Sequence, residues 1–421
     1  MRLPRRSARR YGPAAALLLV LPLVVALAGT PGAPAEPSGR GPGPGAGGPR
    51  RPAPLRTTTG ERVPGHYIVT LRSGTSARAL TGRLGVTPDY VYTHALTGFA
   101  ATLSAEQLET VRSTPGVAAV EQDAVLTQAV DAAATPVART AGRVGTGSYG
   151  LDRIDQRTLP LDSQFNTTAT GEGATVYVMD TGIDYSHPDF GGRAKNGIDL
   201  VAVGGNGSDC RTGTGHGTHV AGVVGGATFG VARKVSLVSV RVLDCGGRTT
   251  VAKFIAGFDY VARSAAPASV VNASISGPSS QAVDTAVGNV AAKGVPPVVA
   301  AGNENDNACD HSPAGALAAL AVGATDQQDR MTDFSNYGPC ARILAPGADI
   351  VSAAMGGGSA TRSGTSQASP HVAGVAALYR AMNPTAGSTA VVNWIVEQST
   401  KNAAKDIKPG TPNRLLYTGG L

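Results

Sequence analysis

Hydrophobic and polar positions follow strand and helix periods in turn between residues 63 and 128. HYIVTLR, which begins at His66, alternates as a half-buried strand does, and SARALTGRLG has helical spacing before a glycine. YVYTHALTGFAATL predicts a second strand or a hairpin. Ser104 and Gln107 have the spacing of a capping box at the start of a second helix, and VAAVEQDAVL predicts a closing strand. These patterns predict a small α/β domain over 63–128.

Beyond residue 148 the apolar runs become longer and alternate with helical stretches. ATVYVMD, VSLVSVRVLD, ASVVNASIS and VPPVVAAGN lack the polar alternation of a strand with one wet face. Strands of this kind are typical of a mostly parallel sheet buried between helices. We therefore predict one large α/β domain over 148–421, with its functional side chains at the carboxyl ends of strands.

Three further segments have no core-forming pattern. Residues 1–28 join an arginine-rich start to a short apolar stretch ending in Ala-Leu-Ala, which predicts a secretory signal peptide. Residues 29–62 are rich in proline, glycine and arginine and predict a disordered linker. Residues 129–147 are small and polar, which predicts a domain junction that contains a processing site.

The net charge of +7 does not indicate a nucleic-acid partner. Residues 1–62 contain ten arginines and two acids, so the remainder of the 421-residue chain has a net charge of only −1. The basic character belongs to the leader and not to a phosphate-binding face. No later segment has enough uninterrupted apolar residues to cross a bilayer. We expect a secreted, extracellular monomer that binds neither nucleic acid nor membrane.

The four cysteines predict disulfides, because they are even in number, widely spaced and without a CxxC pair. Cys210, Cys245, Cys309 and Cys340 allow three pairings, and free buried thiols are the alternative. We favour the two local pairs, Cys210 with Cys245 and Cys309 with Cys340. Each would stabilise the fold by roughly 3–4 kcal/mol in the chain-entropy description.

Four polar residues stand at predicted strand ends or helix starts. Asp180 ends the run VYVMD, His216 lies between glycines, Asn303 follows a strand, and Ser366 precedes an apolar helix. Taken singly, each has a structural explanation as a turn former or helix cap. Together they supply a carboxylate, an imidazole, an oxyanion donor and a nucleophile, in the chain order Asp, His, Asn, Ser.

The motifs VYVMDTGIDYSHPDF, GHGTHVAGVVGG, AAGNEN and GTSQASPHVAGVAALY resemble those of the subtilases. The resemblance covers roughly residues 150–400 and is to the aqualysin-like enzymes of the proteinase K branch. It implies a three-layer subtilisin-like fold, preceded at 63–128 by a ferredoxin-like α/β pro-domain that assists folding and inhibits the enzyme within its own chain. The peptidase domain would then be 148–421.

The resemblance implies a serine endopeptidase that acts on proteins or peptides and needs no cofactor for catalysis. Asp180 would orient His216, His216 would take the proton of Ser366, and Asn303 would bind the oxyanion. The chain would cut itself within roughly residues 128–135.

Two segments of the chain match the walls of the family's substrate cleft. Ser274, Ile275, Ser276 and Gly247 would bind the substrate backbone as an added strand. Ser276 stands where the family usually has glycine, and Gln367 where it usually has methionine.

The segment GLDRIDQRTLPLDSQF resembles the calcium loop of the aqualysin-like enzymes. The resemblance implies a structural calcium ion held by oxygen ligands, which are Asp152, Asp155, Gln156, Asp162 and Gln164. A cluster of solvated acids at a helix start is the alternative. A second calcium site of the family looks lost, since Arg342 stands in place of its aspartate.

Two other functions fit parts of the sequence. A catalytically inactive relative could serve as a binding protein, although such a protein has no need for the oxyanion donor Asn303. An esterase or lipase would also use a serine nucleophile, but the GxSxG motif is absent around Ser366.

Overall fold

The computed structural model describes residues 51–129, the backbone of 132–137, and residues 148–421. The predicted signal peptide, 1–28, lies outside the described residues, as do most of the predicted linker and of the predicted junction. No helix in the described part of the chain is long and apolar enough to cross a bilayer.

The N-terminal domain, residues 51–129, is a small antiparallel sheet with two helices. Strands β5, β2, β4 and β3 lie side by side in that order. The predicted capping box is present, because Ser104 accepts from the Gln107 N–H and Gln107 accepts from the Ser104 N–H. The elements are β1 Leu55–Arg56, β2 Arg62–Leu71, α1 Ala77–Leu84, β3 Tyr90–Tyr92, β4 Gly98–Thr102, α2 Ala105–Ser113 and β5 Val117–Gln128.

The predicted linker differs from the structure over its last twelve residues. Residues 51–62 form part of the N-terminal domain, where β1 pairs in parallel with β5 and Ala53 is buried. The N–H of Val125 donates to the carbonyl of Glu61 at 2.8 Å. Composition suggested disorder, but hydrogen bonds to the long strand β5 supply the backbone partners that the segment lacks by itself. The prediction of a disordered linker is therefore wrong over 51–62.

The main domain, residues 148–421, contains a nine-stranded sheet with the order β19-β20-β16-β15-β13-β11-β7-β9-β8. Every neighbouring pair except β19 and β20 is parallel, as predicted. From the segment between the domains onward, the elements are β6 Ala132–Val137, α3 Tyr149–Ile154, β7 Thr175–Asp180, β8 Ala194–Asp199, α4 His216–Gly225, β9 Ser236–Arg241, β10 Arg248–Thr250, α5 Val251–Ser264, β11 Ser269–Ala273, β12 Ile275–Pro278, α6 Gln281–Ala292, β13 Pro297–Ala300, β14 His311–Ser312, β15 Leu320–Thr325, β16 Ala341–Pro346, β17 Ile350–Ala353, β18 Ser359–Ser363, α7 Thr365–Met382, α8 Ser388–Gln398, β19 Thr400–Lys401 and β20 Arg414–Leu415.

Helices cover both faces of this sheet, which explains why its central strands are mostly apolar. Along β7, Val176 and Val178 pack into the core with helices α4 and α7, whereas Tyr177 and Met179 pack into the core with α5 and α6. Successive side chains of a strand point to opposite faces, so a strand covered on both sides must be apolar at every position. The sheet thereby fixes the ends of β7, β11 and β13, from which the candidate site is built.

Two buried carboxylates of β5 contact the first turns of two main-domain helices. Asp123 accepts from the N–H of Ala252 at 3.0 Å, near the start of α5. Glu121 accepts from the N–H of Ala282 at 3.3 Å and from the Ser280 hydroxyl, at the start of α6. Burial raises the pKa of Glu121. Carboxylates at these positions satisfy helix N–H groups and complement the positive ends of the helix dipoles.

The structure forms the two local disulfides. Cys210 pairs with Cys245 and Cys309 pairs with Cys340, and no free cysteine occurs in the described residues. The disulfide between Cys210 and Cys245 joins the loop before α4 to the loop after β9. Both loops lie next to residues of the candidate site.

Candidate active site

A carboxylate and an imidazole meet at the end of β7. Asp180 is the last residue of β7, and His216 is the first residue of α4. The Nδ1 of His216 lies 2.7 Å from Oδ1 of Asp180, and both side chains are fully buried. A carboxylate so placed accepts the Nδ1 proton of the imidazole, which leaves Nε2 as the basic nitrogen.

Asp209 supports this pair through hydrogen bonds. It lies in a loop, and no sequence pattern predicted a role for it. Its carboxylate accepts from the hydroxyls of Thr181, at 2.8 Å, and Thr218, at 2.5 Å. The Thr181 hydroxyl in turn accepts from the N–H of Gly217 at 2.9 Å. Burial raises the pKa of Asp209, and the two hydroxyls oppose that effect. These bonds hold the turn after Asp180 against the first turn of α4.

The candidate nucleophile lies in the first turn of α7. Ser366 is fully buried, and α7 has no side-chain cap at its N-cap, Gly364. Its Oγ lies 3.1 Å from the carbonyl oxygen of Ser274 and 3.4 Å from that of Ala129. Both carbonyls thus lie within hydrogen-bonding distance of the Ser366 hydroxyl.

Asn303 is oriented toward the same helix start. Its Oδ1 accepts from the N–H of Thr365 at 2.9 Å and from the Thr365 hydroxyl at 2.8 Å. The same hydroxyl also accepts from the N–H of Gly302 at 3.1 Å. Because the amide oxygen faces Thr365, the amide nitrogen points the other way. Thr365 was not among the predicted site residues, since its role depends on a contact with a residue 62 positions away.

The strand β5 of the N-terminal domain occupies the groove beside Ser366. It pairs antiparallel with β10 and with β12, where Gln128 lies opposite Ile275 and Thr127 opposite Ser276. The N–H of Gln128 donates to the carbonyl of Gly247 at 2.8 Å. Three of the predicted substrate-binding residues, Ile275, Ser276 and Gly247, thus flank a strand from the same chain. This is the arrangement in which an extended peptide adds a strand between two exposed edges.

Side chains of β5 fill pockets along this groove. Leu126 is fully buried, and a Cβ on Gly277 would collide with it. The Thr214 hydroxyl lies 3.2 Å from Oε1 of Gln128. Ser274, the fourth predicted binding residue, directs its carbonyl at Ser366, and its Oγ donates to the Ser366 carbonyl at 3.0 Å. Neither Thr214 nor Gly277 had a distinctive sequence context.

The predicted calcium ligands mostly bond to backbone N–H groups. Asp152 accepts from Asp162 and Ser163, and Asp155 accepts from Asn166. The remaining contacts are from the Gln164 N–H to Asp162, and from the Gln156 amide to the carbonyls of Thr158 and Pro160. Within the described residues, no group of three or more acidic, His or Cys side chains has the geometry of a metal site.

Burial and like charge also act on the carboxylates of this loop. Burial, and then the neighbouring Asp162, raise the pKa values of Asp152 and Asp155, while the backbone N–H groups lower them. Oδ1 of Asp155 is buried and has no hydrogen-bond partner among the described residues. The charge of Asp162 thus disfavours the ionised forms of Asp152 and Asp155, and the unsatisfied oxygen of Asp155 is of the hard type that calcium prefers.

The structure also shows the surroundings of two residues that depart from the family pattern. Arg342 is half-buried and its guanidinium donates to the carbonyl of Ala319 at 3.3 Å. Gln367, which follows Ser366, is fully buried, and its amide has no hydrogen-bond partner among the described residues. His219, one turn after His216, is buried with Nε2 at 3.1 Å from the carbonyls of Ile350 and Ala360. These contacts support a structural role for His219.

Comparison with known proteins yields two family matches and several close relatives. Residues 171–416 match the Subtilase family, and residues 70–129 match Peptidase inhibitor I9. The chain is 43% identical over 385 residues to "Extracellular serine proteinase" of Thermus sp. (strain Rt41A), covering 85% of this chain and 90% of that one.

Two further matches agree with this result. "Alkaline serine exoprotease A" of Vibrio alginolyticus is 43% identical over 343 residues, which are 82% of this chain and 62% of that relative, so the match spans less than two thirds of its length. A solved structure, "Crystal structure of a cold adapted subtilisin-like serine proteinase", matches with a TM-score of 0.63 and 46% identity. It covers 64% of this chain and 97% of that chain.

Proposed function

Since this chain belongs to the subtilase family and is a subtilisin-like serine protease with an inhibitory pro-domain, we propose that Asp180, His216 and Ser366 are its catalytic triad. The family match and the relatives named as serine proteinases favour a peptidase over the lipase and the inactive binding protein. What supports the assignment of roles is the 2.7 Å bond between Asp180 and His216, together with the position of Ser366 beside a peptide carbonyl.

The proposed reaction uses the Ser366 hydroxyl as the nucleophile and His216 as its base. Oγ attacks the substrate carbonyl carbon as its proton passes to Nε2 of His216. The oxyanion that forms accepts from the Asn303 amide and from the N–H of Ser366, at the positive end of α7. The imidazolium then gives its proton to the leaving amine. Water releases the acyl group from Ser366 by the same steps in reverse order.

The observation that carries this proposal is the position of Ala129. Its carbonyl oxygen lies 3.4 Å from Ser366 Oγ, at the end of a strand paired with both edges of the groove. The carbonyl of a scissile bond must lie within such a distance of the nucleophile. We infer that the enzyme cuts its own precursor between Ala129 and Val130. The pro-domain strand then remains as a product-like inhibitor, because it occupies the substrate path.

Two measurements on the secreted protein test this function. We expect a fluorophosphonate probe to label Ser366 of the processed protein, and the labelled protein to lose the ability to hydrolyse casein. N-terminal sequencing should give Val-Asp-Ala as the first residues of the mature form. Failure to label, or hydrolysis of a lipid ester but not of casein, would contradict the assignment.

We further propose that the enzyme is exported and acts outside the cell on proteins and peptides as a monomer. The arginine-rich and apolar leader, the two disulfides and a relative named as an extracellular proteinase support export. We propose that no cofactor is needed for the acyl-transfer chemistry, which uses side chains and a backbone N–H of the chain itself.

We also propose that a calcium ion binds at Asp152, Asp155 and Asp162, with oxygens of Gln156 and Gln164 nearby. Calcium supplies charge that cancels the mutual repulsion of the carboxylates, and it would occupy the unsatisfied Oδ1 of Asp155. A chelator should therefore lower the melting temperature of the mature enzyme. Calcium at one hundred times its Kd would contribute about 2.7 kcal/mol of stability.

Scanning calorimetry with and without chelator measures this effect. Asp155→Asn should melt at a lower temperature in calcium and should respond little to the chelator. Asp244→Asn, in a loop outside this cluster, should respond as the wild type does. Equal melting temperatures of the wild type with and without chelator would remove the calcium site.

His66 predicts a pH dependence of pro-domain stability. Its ring nitrogens lie 2.8 Å from Asp123 and 2.9 Å from Asp89. Burial lowers its pKa, but the two carboxylates more than offset this, so the pKa is raised above 6.5. A raised pKa stabilises the folded form fully below pH 6.5, and this stabilisation is lost as the pH rises through the folded-state value.

The uncut precursor, kept intact by Ser366→Ala, should therefore lose thermal stability between pH 6 and pH 8, by about 2 °C or more. His66→Ala in the same precursor should melt lower at pH 6 and show a smaller change with pH. Calorimetry at several pH values measures both. An unaltered pH dependence in the His66→Ala precursor would contradict this role.

A further inference from the structure

We propose that Ser276 narrows the first specificity pocket, so that the enzyme cleaves after small residues such as alanine and serine and discriminates against large aromatic ones. This inference rests on the proposed function and assigns its substrate class. The P1 residue is the one whose carbonyl is attacked, and Ala129 has that position in the precursor. The pocket that receives its side chain is bounded by β12 and by the end of β13.

The register of the strands places Ser276 on the same face as the P1 side chain. Ser276 lies directly opposite Thr127, and Ile275 lies opposite Gln128. Directly opposed residues share a face of a sheet, as do residues two positions apart along one strand. The side chains of Ser276, Thr127 and Ala129 therefore share one face. Leu126 and Ile275 lie on the other face, where both pack into the main-domain core.

The far wall of this pocket is Gly302, at the end of β13. The Oγ of Ser276 lies 2.8 Å from the position that a Cβ on Gly302 would take. The carboxylate of Glu304 and the amide of Asn336 approach the same position. The serine side chain thus extends across the pocket to the backbone of the opposite wall. Glycine at 276 would leave that space open to a large P1 side chain.

The burial of Ser276 is consistent with a side chain that lines a filled pocket. Its exposed fraction is 2%, and its hydroxyl has no hydrogen-bond partner among the described residues. A buried hydroxyl without a partner destabilises the fold. A serine at P1 could supply a partner for this hydroxyl, and alanine leaves room beside it. An aromatic ring would bury the hydroxyl without a partner and would overlap it.

The precursor itself provides an independent observation. Ala129 is 1% exposed, so the P1 side chain of the enzyme's own first substrate is small and enclosed. The residue offered for cleavage therefore agrees with the width set by Ser276.

Peptides with the sequence Val-Leu-Thr-Gln-X, taken from residues 125–128, test the proposal with X as Ala, Ser, Phe or Lys. For the mature wild-type enzyme we expect kcat/KM for Ala and Ser to exceed that for Phe by about tenfold or more, the scale at which a pocket excludes an oversized group. Ser276→Gly should raise kcat/KM for Phe by about tenfold and change that for Ala by less than about threefold. Ser276→Ala should fall between the two enzymes.

Ser279→Gly is the matched control, because it makes the same chemical change at an exposed position three residues away. It should leave all four values as in the wild type. Fluorophosphonate titration gives the concentration of active sites, so that poor folding of a variant does not alter the ratios. If the wild type cleaves none of the peptides and does not label, the proposed function fails.

Three results would contradict narrowing by Ser276 and leave the proposed function intact. The first is a labelled wild type that cleaves after Phe as well as after Ala, and the second is a Phe-to-Ala ratio of kcat/KM that is unchanged in Ser276→Gly. The third is a preference for Lys, which would assign selection in this pocket to the Glu304 carboxylate.

Discussion

Ser366→Ala will abolish peptide hydrolysis and leave the precursor uncut. The alanine has no oxygen to attack a carbonyl, so neither an external peptide nor the Ala129 carbonyl can form an acyl-enzyme. Removal of a triad serine lowers kcat by about a millionfold in a subtilisin. Mass spectrometry of the secreted variant should detect a chain that still contains the pro-domain, and casein hydrolysis should be absent.

Two controls separate loss of chemistry from loss of folding. Ser264→Ala changes an exposed serine at the end of α5 and should be processed normally. Mature wild-type enzyme added to the Ser366→Ala precursor should remove the pro-domain by cutting within the junction, whose small and polar sequence predicts an accessible cleavage site. A Ser366→Ala chain that matures unaided would disprove self-processing at Ser366.

Asp180→Asn will lower kcat by about ten-thousandfold with a small effect on KM. The wild-type carboxylate accepts the Nδ1 proton of His216 at 2.7 Å. An asparagine can donate to Nδ1 instead, which places the ring proton on Nε2, where it can no longer accept the proton of Ser366. Steady-state kinetics of the purified variant, corrected for active sites, measures the loss.

Asp184→Asn is a matched control in the loop after β7. Burial raises the pKa of its carboxyl, but hydrogen bonds from the Ser186 hydroxyl and from the N–H groups of Gly356 and Ser186 more than offset this and lower it. Its contribution to stability is present above the unfolded-state pKa and lost as the pH falls through the folded-state value. The control should therefore lower the melting temperature and change kcat by less than about tenfold. A kcat of Asp180→Asn similar to that of the wild type would disprove the assignment of the triad.

Local patterns were enough for the main features of the fold. The apolar runs that end at Asp180 and near Asn303 gave the buried parallel strands, because a strand covered on both faces has few polar positions. Ser104 and Gln107 gave a helix start, because a capping box is satisfied within four residues. The order of Asp180, His216 and Ser366 along the chain predicted the candidate site, because that order is characteristic of one family.

Features that depend on distant contacts escaped prediction. The pairing of Leu55 with Val120 could not be read from a segment rich in proline, since its hydrogen-bond partner lies 65 residues away. The roles of Thr365 and Asp209 also depend on tertiary neighbours, and a threonine beside a serine has no characteristic pattern. The width of the pocket at Ser276 depends on Gly302, which lies in the loop after β13.

Because the carboxylates of Glu121 and Asp123 belong to the pro-domain, the mature enzyme refolds under different conditions from those in which the precursor folded. They contact the first turns of α6 and α5 only while the pro-domain is attached, and in the mature chain these turns keep Ser280 and Thr250 as caps. A mature chain that has been unfolded therefore has to rebuild two helix starts without the groups that were present when they first formed. Recovery of activity after denaturation will therefore depend on whether the separate pro-domain is added to the refolding mixture.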